Sequence, residues 1–99
     1  MVKHVILWKL KDMPEAEAAA VKSNIKTHLE ALAGNIPGLL EIKVYTDKLD
    51  SSNVDVMLDS SFESEEALKG YAVHPDHVAV ADTYVRPFTA TRSCLDFHV

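Results

Sequence analysis

The stretch YAVHPDHVAVADTYVRPF (71–88) holds two phenols, two imidazoles, two carboxylates and two prolines. Pro75 suits the first position of a helix, because its fixed φ fits there and its missing N–H would have no partner anyway. That makes His74 the N-cap, Asp76 the second helical residue and His77 the third. The helix dipole favours a carboxylate in the first turn and disfavours an imidazolium, so the spacing predicts a neutral His77 able to accept a proton. Neutral imidazole beside a phenol such as Tyr71 is a suitable pair for moving a proton at a carbon next to a carbonyl. His77 would be the general base, and Tyr71 would hold or protonate the developing enolate.

Plainer readings stand beside this one. His74 can be a cap and nothing more, and His77 a half-buried histidine bonded to a backbone carbonyl. His74, Asp76 and His77 could instead share a metal, with His4 the one obvious distant residue to complete the set. A stable zinc site wants three or four ligands, and the expectation here is no metal and no cofactor. Asp82 and Tyr84 read as surface or interface groups.

Outside this span, the candidate substrate-binding residues are His4, Trp8 and His74. His4 projects from the apolar side of the first strand, where a polar group must find a hydrogen bond or lose solvation energy. It is either a satisfied core histidine or a pocket group that orients a carbonyl. Trp8 is core or pocket wall. His28, on the polar flank of a helix, and His98, in the tail, read as solvated, and Cys94 as interface packing without an activated thiolate. The three glycines are isolated, so there is no phosphate loop or dinucleotide fingerprint, and no serine nucleophile elbow is present.

The elements that must position these groups follow from periodicity. VKHVILWKL (2–10) reads as a strand. Pro14, at the first helical position with Glu15 and Glu17 beside it, opens a helix. Its apolar stripe is Ala18, Val21, Ile25, Leu29 and Leu32, and Gly34 stops it. LLEIKVYTD (39–47) and VDVMLDSSF (54–62) are the second and third strands, joined by turn chemistry in KLDSSN (48–53). Ser64, Glu65 and Glu66 start a short helix over 64–71. A further helical piece runs from Pro75 to about Arg86, and TATRSCLDF (89–97) is the last strand. The order βαββαβ predicts an α+β, ferredoxin-like fold with a four-stranded antiparallel sheet in a single domain, 1–99.

Strand parity predicts that His4, Ile6, Trp8, Leu10, Leu40, Ile42, Val44, Val54, Val56, Leu58, Phe62, Leu95 and Phe97 face the helices. The opposite side mixes Val5, Leu7, Leu39, Tyr45, Met57 and Cys94 with Lys3, Lys9, Asp55, Asp59, Arg92 and Asp96. That side holds enough apolar residues to ask for a partner, and two copies packed sheet to sheet would close a barrel. A homodimer through the sheet face is the expectation.

Composition sets the outer limits. The 99 residues are 47% hydrophobic and 25% charged, with a formal net charge of −5. An acidic chain with no basic run argues against nucleic acid or an anionic membrane as partner. One cysteine permits no intrachain disulfide, which favours a reducing cytoplasm. The apolar run Val5 to Trp8 is too short for a signal core or a membrane span.

VKHVILWKLKD at the start, SFESEEALKGYAVHPDHV (61–78) and the closing CLDF together resemble the stress-responsive dimeric A/B barrel (Dabb) domain family over nearly the whole chain. The resemblance implies the same ferredoxin-like dimer. Among the family's best-understood members are plant polyketide cyclases, which use a tyrosine and a histidine for aldol cyclisation of a linear poly-β-ketone. By position it assigns those roles to Tyr71 and His77, and a pocket histidine to His4. It departs at the third strand, where apolar Val56 stands near the place expected for another pocket histidine. The functions it implies are a cofactor-free lyase or cyclase on a small β-keto-type molecule, a non-catalytic small-molecule-binding or stress-associated dimer, or, from the wider superfamily, a cofactor-independent monooxygenase.

Overall fold

The computed structural model describes all of residues 1–99. The elements run β1 (Val2–Leu10), α1 (Glu15–Glu30), β2 (Leu39–Tyr45), β3 (Val56–Phe62), α2 (Glu65–Val73), α3 (Pro75–Val80) and β4 (Thr89–His98). The strands form one sheet in the order β2-β3-β1-β4, every neighbouring pair antiparallel. This is the expected ferredoxin-like α+β fold.

Local chemistry explains most boundaries. The Ser64 hydroxyl accepts from the Ala67 N–H and caps α2. Pro75 opens α3, and the His74 ring accepts from the Asp76 N–H at 3.1 Å. Pro14 is the N-cap of α1 rather than its first residue, with ψ of 147° outside the helical range. The helix expected to reach Arg86 is α-helical only as far as Val80. A π-helical turn (Ala81–Val85) and a 3-10 turn (Arg86–Phe88) then bring the chain to β4. Widened turns of this kind recur at functional sites, because they re-aim side chains without ending the helix.

One layer of core lies between sheet and helices. Val21, Ile25 and Leu29 of α1 are buried with Ile6, Trp8, Val44, Val56, Leu58 and Phe62 of the sheet. Each such aliphatic side chain removed from water contributes roughly 1.5–3 kcal/mol.

Two strand faces differ from expectation. In β2 the pairing shifts between Leu39 and Glu41, and this irregularity sends Leu39 to the core and leaves Leu40 exposed. In β4 the whole parity is reversed. Cross-strand partners share a face, and Arg92, Cys94 and Asp96 lie opposite Trp8, Ile6 and His4. Those three residues therefore face the helix side, while Leu95 and Phe97, opposite Val5 and Lys3, point to the open face. An edge strand need not bury its apolar side in its own core, so apolarity was a poor guide to its direction.

Candidate functional site

The chain enters the site through α2, which runs back over the sheet from the end of β3. Tyr71 lies on that helix and is buried against Phe62, ring centroids 5.0 Å apart, and against His4 at 6.1 Å. After the His74–Pro75 corner, the first turn of α3 places the His77 ring 4.1 Å from that of Tyr71. His4, far away in sequence, thus converges with Tyr71 and His77 on one cavity of about 340 Å³. Its wall is mostly apolar and includes Trp8; its polar members are His4, Tyr71, His77, Arg86, Thr89 and Arg92.

Burial acts on the proton equilibria of Tyr71 and His77. The Tyr71 hydroxyl is buried without a hydrogen-bond partner. Burial pushes its pKa well above the ordinary value of 10.0, against the opposing pull of the Arg92 guanidinium, so the phenol is a neutral donor. His77 is half-buried, and its pKa lies below the ordinary 6.5, chiefly because burial disfavours the imidazolium. A hydrogen bond to the Ala72 carbonyl works the other way, and the charges of Arg86, His4 and Arg92 lower the value further. The contact to Ala72 is 3.3 Å from His77 Nδ1. A carbonyl can only accept, so the proton sits on Nδ1 and the Nε2 lone pair is left free.

His4 is anchored differently. Its Nδ1 lies 2.5 Å from Asp96 Oδ1 on the neighbouring strand. The carboxylate fixes the donor at Nδ1 and leaves Nε2 as the second functional atom. The Ser60 hydroxyl donates to the His4 carbonyl at 2.9 Å and ties the backbone there. Cys94 Sγ donates to Asp96 Oδ1 at 3.4 Å. Partial burial and the neighbouring carboxylate push its thiol pKa up, so it is an inert thiol facing the groove, not the interface residue expected on the other face.

Other expectations fall out of this geometry. His74 caps α3 and is not among the cavity-lining residues. The donor atoms of His74, Asp76 and His77 are not brought together at metal-ligand spacing. The three metal-type donors that do approach one another are His4, Cys94 and Asp96, within 4.8 Å. They are already bonded among themselves and are one short of a closed zinc site. His28 is half-buried rather than fully solvated, its ring stacked on Tyr84 at 3.7 Å, 5° from parallel. His98 is exposed and meets Glu65 at 3.2 Å. Asp82 forms an ion pair with Arg86.

Sequence reasoning missed Arg86, Arg92 and Asp96. The signal for Asp96 was present: a buried His4 needs a partner, and only the parity that turns Asp96 inward supplies one from β4. No helix is long and apolar enough to cross a membrane.

Comparison with known proteins agrees with this architecture. Olivetolic acid cyclase from Cannabis sativa is 33% identical over 86 residues, covering 84% of this chain and 82% of that protein. A dimeric protein of unknown function with a ferredoxin-like fold from Bacteroides fragilis superposes with a TM-score of 0.93 at 31% identity, covering 99% and 95% of the two chains. A hydroxynitrile lyase from Passiflora edulis shares the fold at a TM-score of 0.70 and 16% identity, over 97% and 90%. The family model described as the stress responsive A/B barrel domain matches residues 2–99. The chain belongs to that family, Dabb.

Proposed function

We propose that this protein is a cofactor-free lyase or cyclase that enolises a small β-keto-type compound in the helix–sheet cavity and closes a carbon–carbon bond by aldol addition. The observation that carries the reading is the unpartnered, buried hydroxyl of Tyr71, whose ring lies 4.1 Å from that of a neutral His77 with its Nε2 free. The 33% identity to a protein named as a cyclase supports it.

His77 Nε2 takes the proton from the carbon between two carbonyls, and the C–H electron pair moves into the enolate. Tyr71 donates its hydrogen bond to the enolate oxygen as charge develops there. His4, held by Asp96, orients the carbonyl. The enolate carbon then attacks a second carbonyl of the same molecule, and the imidazolium of His77 returns its proton to the new alkoxide. Donors fixed before the reaction, in a site walled by apolar groups, are the large contribution in such chemistry.

Exchange of the central protons of acetylacetone for deuterium, followed by NMR, tests the first step. The wild-type protein should exceed the buffer rate, and His77→Ala should lower the catalysed rate by roughly 10²–10⁴-fold, the usual range for a general base. A rate that survives His77→Ala unchanged sinks the catalytic assignment. Ligand affinity without any turnover favours a binding module instead.

The same reading makes the protein a homodimer through its open sheet face. Leu95, Phe97 and Tyr45 are exposed there, and the Bacteroides fragilis neighbour is dimeric.

A further inference from the structure

The chain contains only two arginines, Arg86 and Arg92, and both line the cavity; none of its eight lysines does, and neither does any of its 15 acidic residues. An acidic protein has thus placed both of its guanidinium groups, and no opposing carboxylate, around one pocket. The two are not equivalent. Arg86 is neutralised by Asp82 on the turn before it. Arg92 forms no ion pair, although the chain's other ion pairs bring several carboxylates into use. Two acidic residues line a second depression of about 490 Å³ between α2 and β4, which Arg92 also borders. Asp96 there is committed to His4 and Glu65 to His98.

Guanidinium is the side chain whose planar fork matches a carboxylate with two parallel hydrogen bonds. One unpaired fork at a mostly apolar pocket fits a single negative charge better than the double charge of a phosphate monoester. Arg92 stands on β4 opposite Trp8, four residues from Asp96 and hence about 13 Å along the strand from the His4 level. An anchor there lets the far end of a ligand be held while its ketone reaches Tyr71 and His77.

We propose that the cavity takes a ketone substrate that also carries a carboxylate, and that Arg92 is the residue that seats it. This rests on the reading of the cavity as a site of enolate chemistry and names its substrate class. It also gives binding a chemical consequence. The positive field of Arg92 helps hold His77 neutral. A carboxylate paired with Arg92 offsets that field and makes His77 a stronger base once substrate is in place.

Succinylacetone, a β-diketone with a carboxylate arm, and its methyl ester separate the two halves of the proposal. For deuterium exchange between the two ketones, kcat/KM for the acid should exceed that for the ester by about tenfold, the effect of one charge-assisted contact at a partly exposed site. Arg92→Gln should bring the acid down to the ester through KM, Arg92→Lys should restore part of the difference, and added salt should erode the acid's advantage alone. Equal rates for the two probes in the wild type, or an Arg92→Gln variant that slows both alike, overturn the assignment. If neither probe exchanges faster than in buffer, the enolate reading fails, and calorimetry then decides the charge preference by itself. Tighter binding of the acid that Arg92→Gln abolishes upholds the seat, and equal binding of acid and ester removes it.

Discussion

A buried hydroxyl without a partner costs about 1–3 kcal/mol, because it gives up water and gains nothing. Tyr71 carries that cost at the centre of the site. A purely structural aromatic would do better as phenylalanine, packed as it is against Phe62 and His4. Tyr71→Phe should therefore raise stability by about 1 kcal/mol, a few degrees in Tm for a domain this size, while lowering deuterium exchange. Thermal unfolding and exchange on the same sample check it; a less stable variant would show that the hydroxyl serves the fold. The pH profile is a second test at this scale. His77 works as the neutral base and its pKa lies below 6.5, so kcat/KM should be flat above that value and fall only at more acid pH. Burial lifts Tyr71 above 10.0, so no alkaline limb should open near an ordinary phenol's pKa. A limb centred at or above 6.5, or one retained in His77→Ala, would contradict the assignment of the base.

At the scale of elements, most of what was legible in the chain was legible because a face had to be buried. The stripe Val21, Ile25, Leu29 and the alternation in β1 and β3 have only one arrangement that keeps them from water, and the structure adopts it. The cap–proline step at His74–Pro75 was legible because it is set by local hydrogen bonds. What brings Tyr71 and His77 to His4 was not, since the direction in which α2 recrosses the sheet is a tertiary fact. β4 failed for an instructive reason. In TRSCLDF both parities bury something plausible, and choosing by apolarity sends Leu95 and Phe97 inward. The observed choice turns Arg92, Cys94 and Asp96 to the groove, where Asp96 satisfies a buried imidazole. A polar requirement at one residue of β1 thus set the direction of a ten-residue strand, and with it the cationic character of the pocket.

For the whole molecule, the reversed β4 sharpens the argument for a partner. The open face now carries Leu95 and Phe97 beside Val5, with Leu7, Met57 and Tyr45 further along the sheet. Leu95 is 63% exposed and Tyr45 51%, an apolar patch on one flat face of the kind that marks an association surface. The Lys3–Asp59 ion pair, 2.6 Å long, and the Lys3–Ser61 hydrogen bond pair two of the charges of that face within the protomer. Those two can enter a sheet-to-sheet contact already matched. Cavity and open face lie on opposite sides of the sheet, so association and chemistry can be perturbed separately. Sedimentation at micromolar concentration should give twice the chain mass. Leu95→Asp, which places a carboxylate at the middle of the contact, should give monomer with unchanged circular dichroism, because Leu95 supports nothing in the protomer's own core. A wild-type protein that sediments as monomer would remove the dimer. A Leu95→Asp variant that stays dimeric would move the interface to another surface.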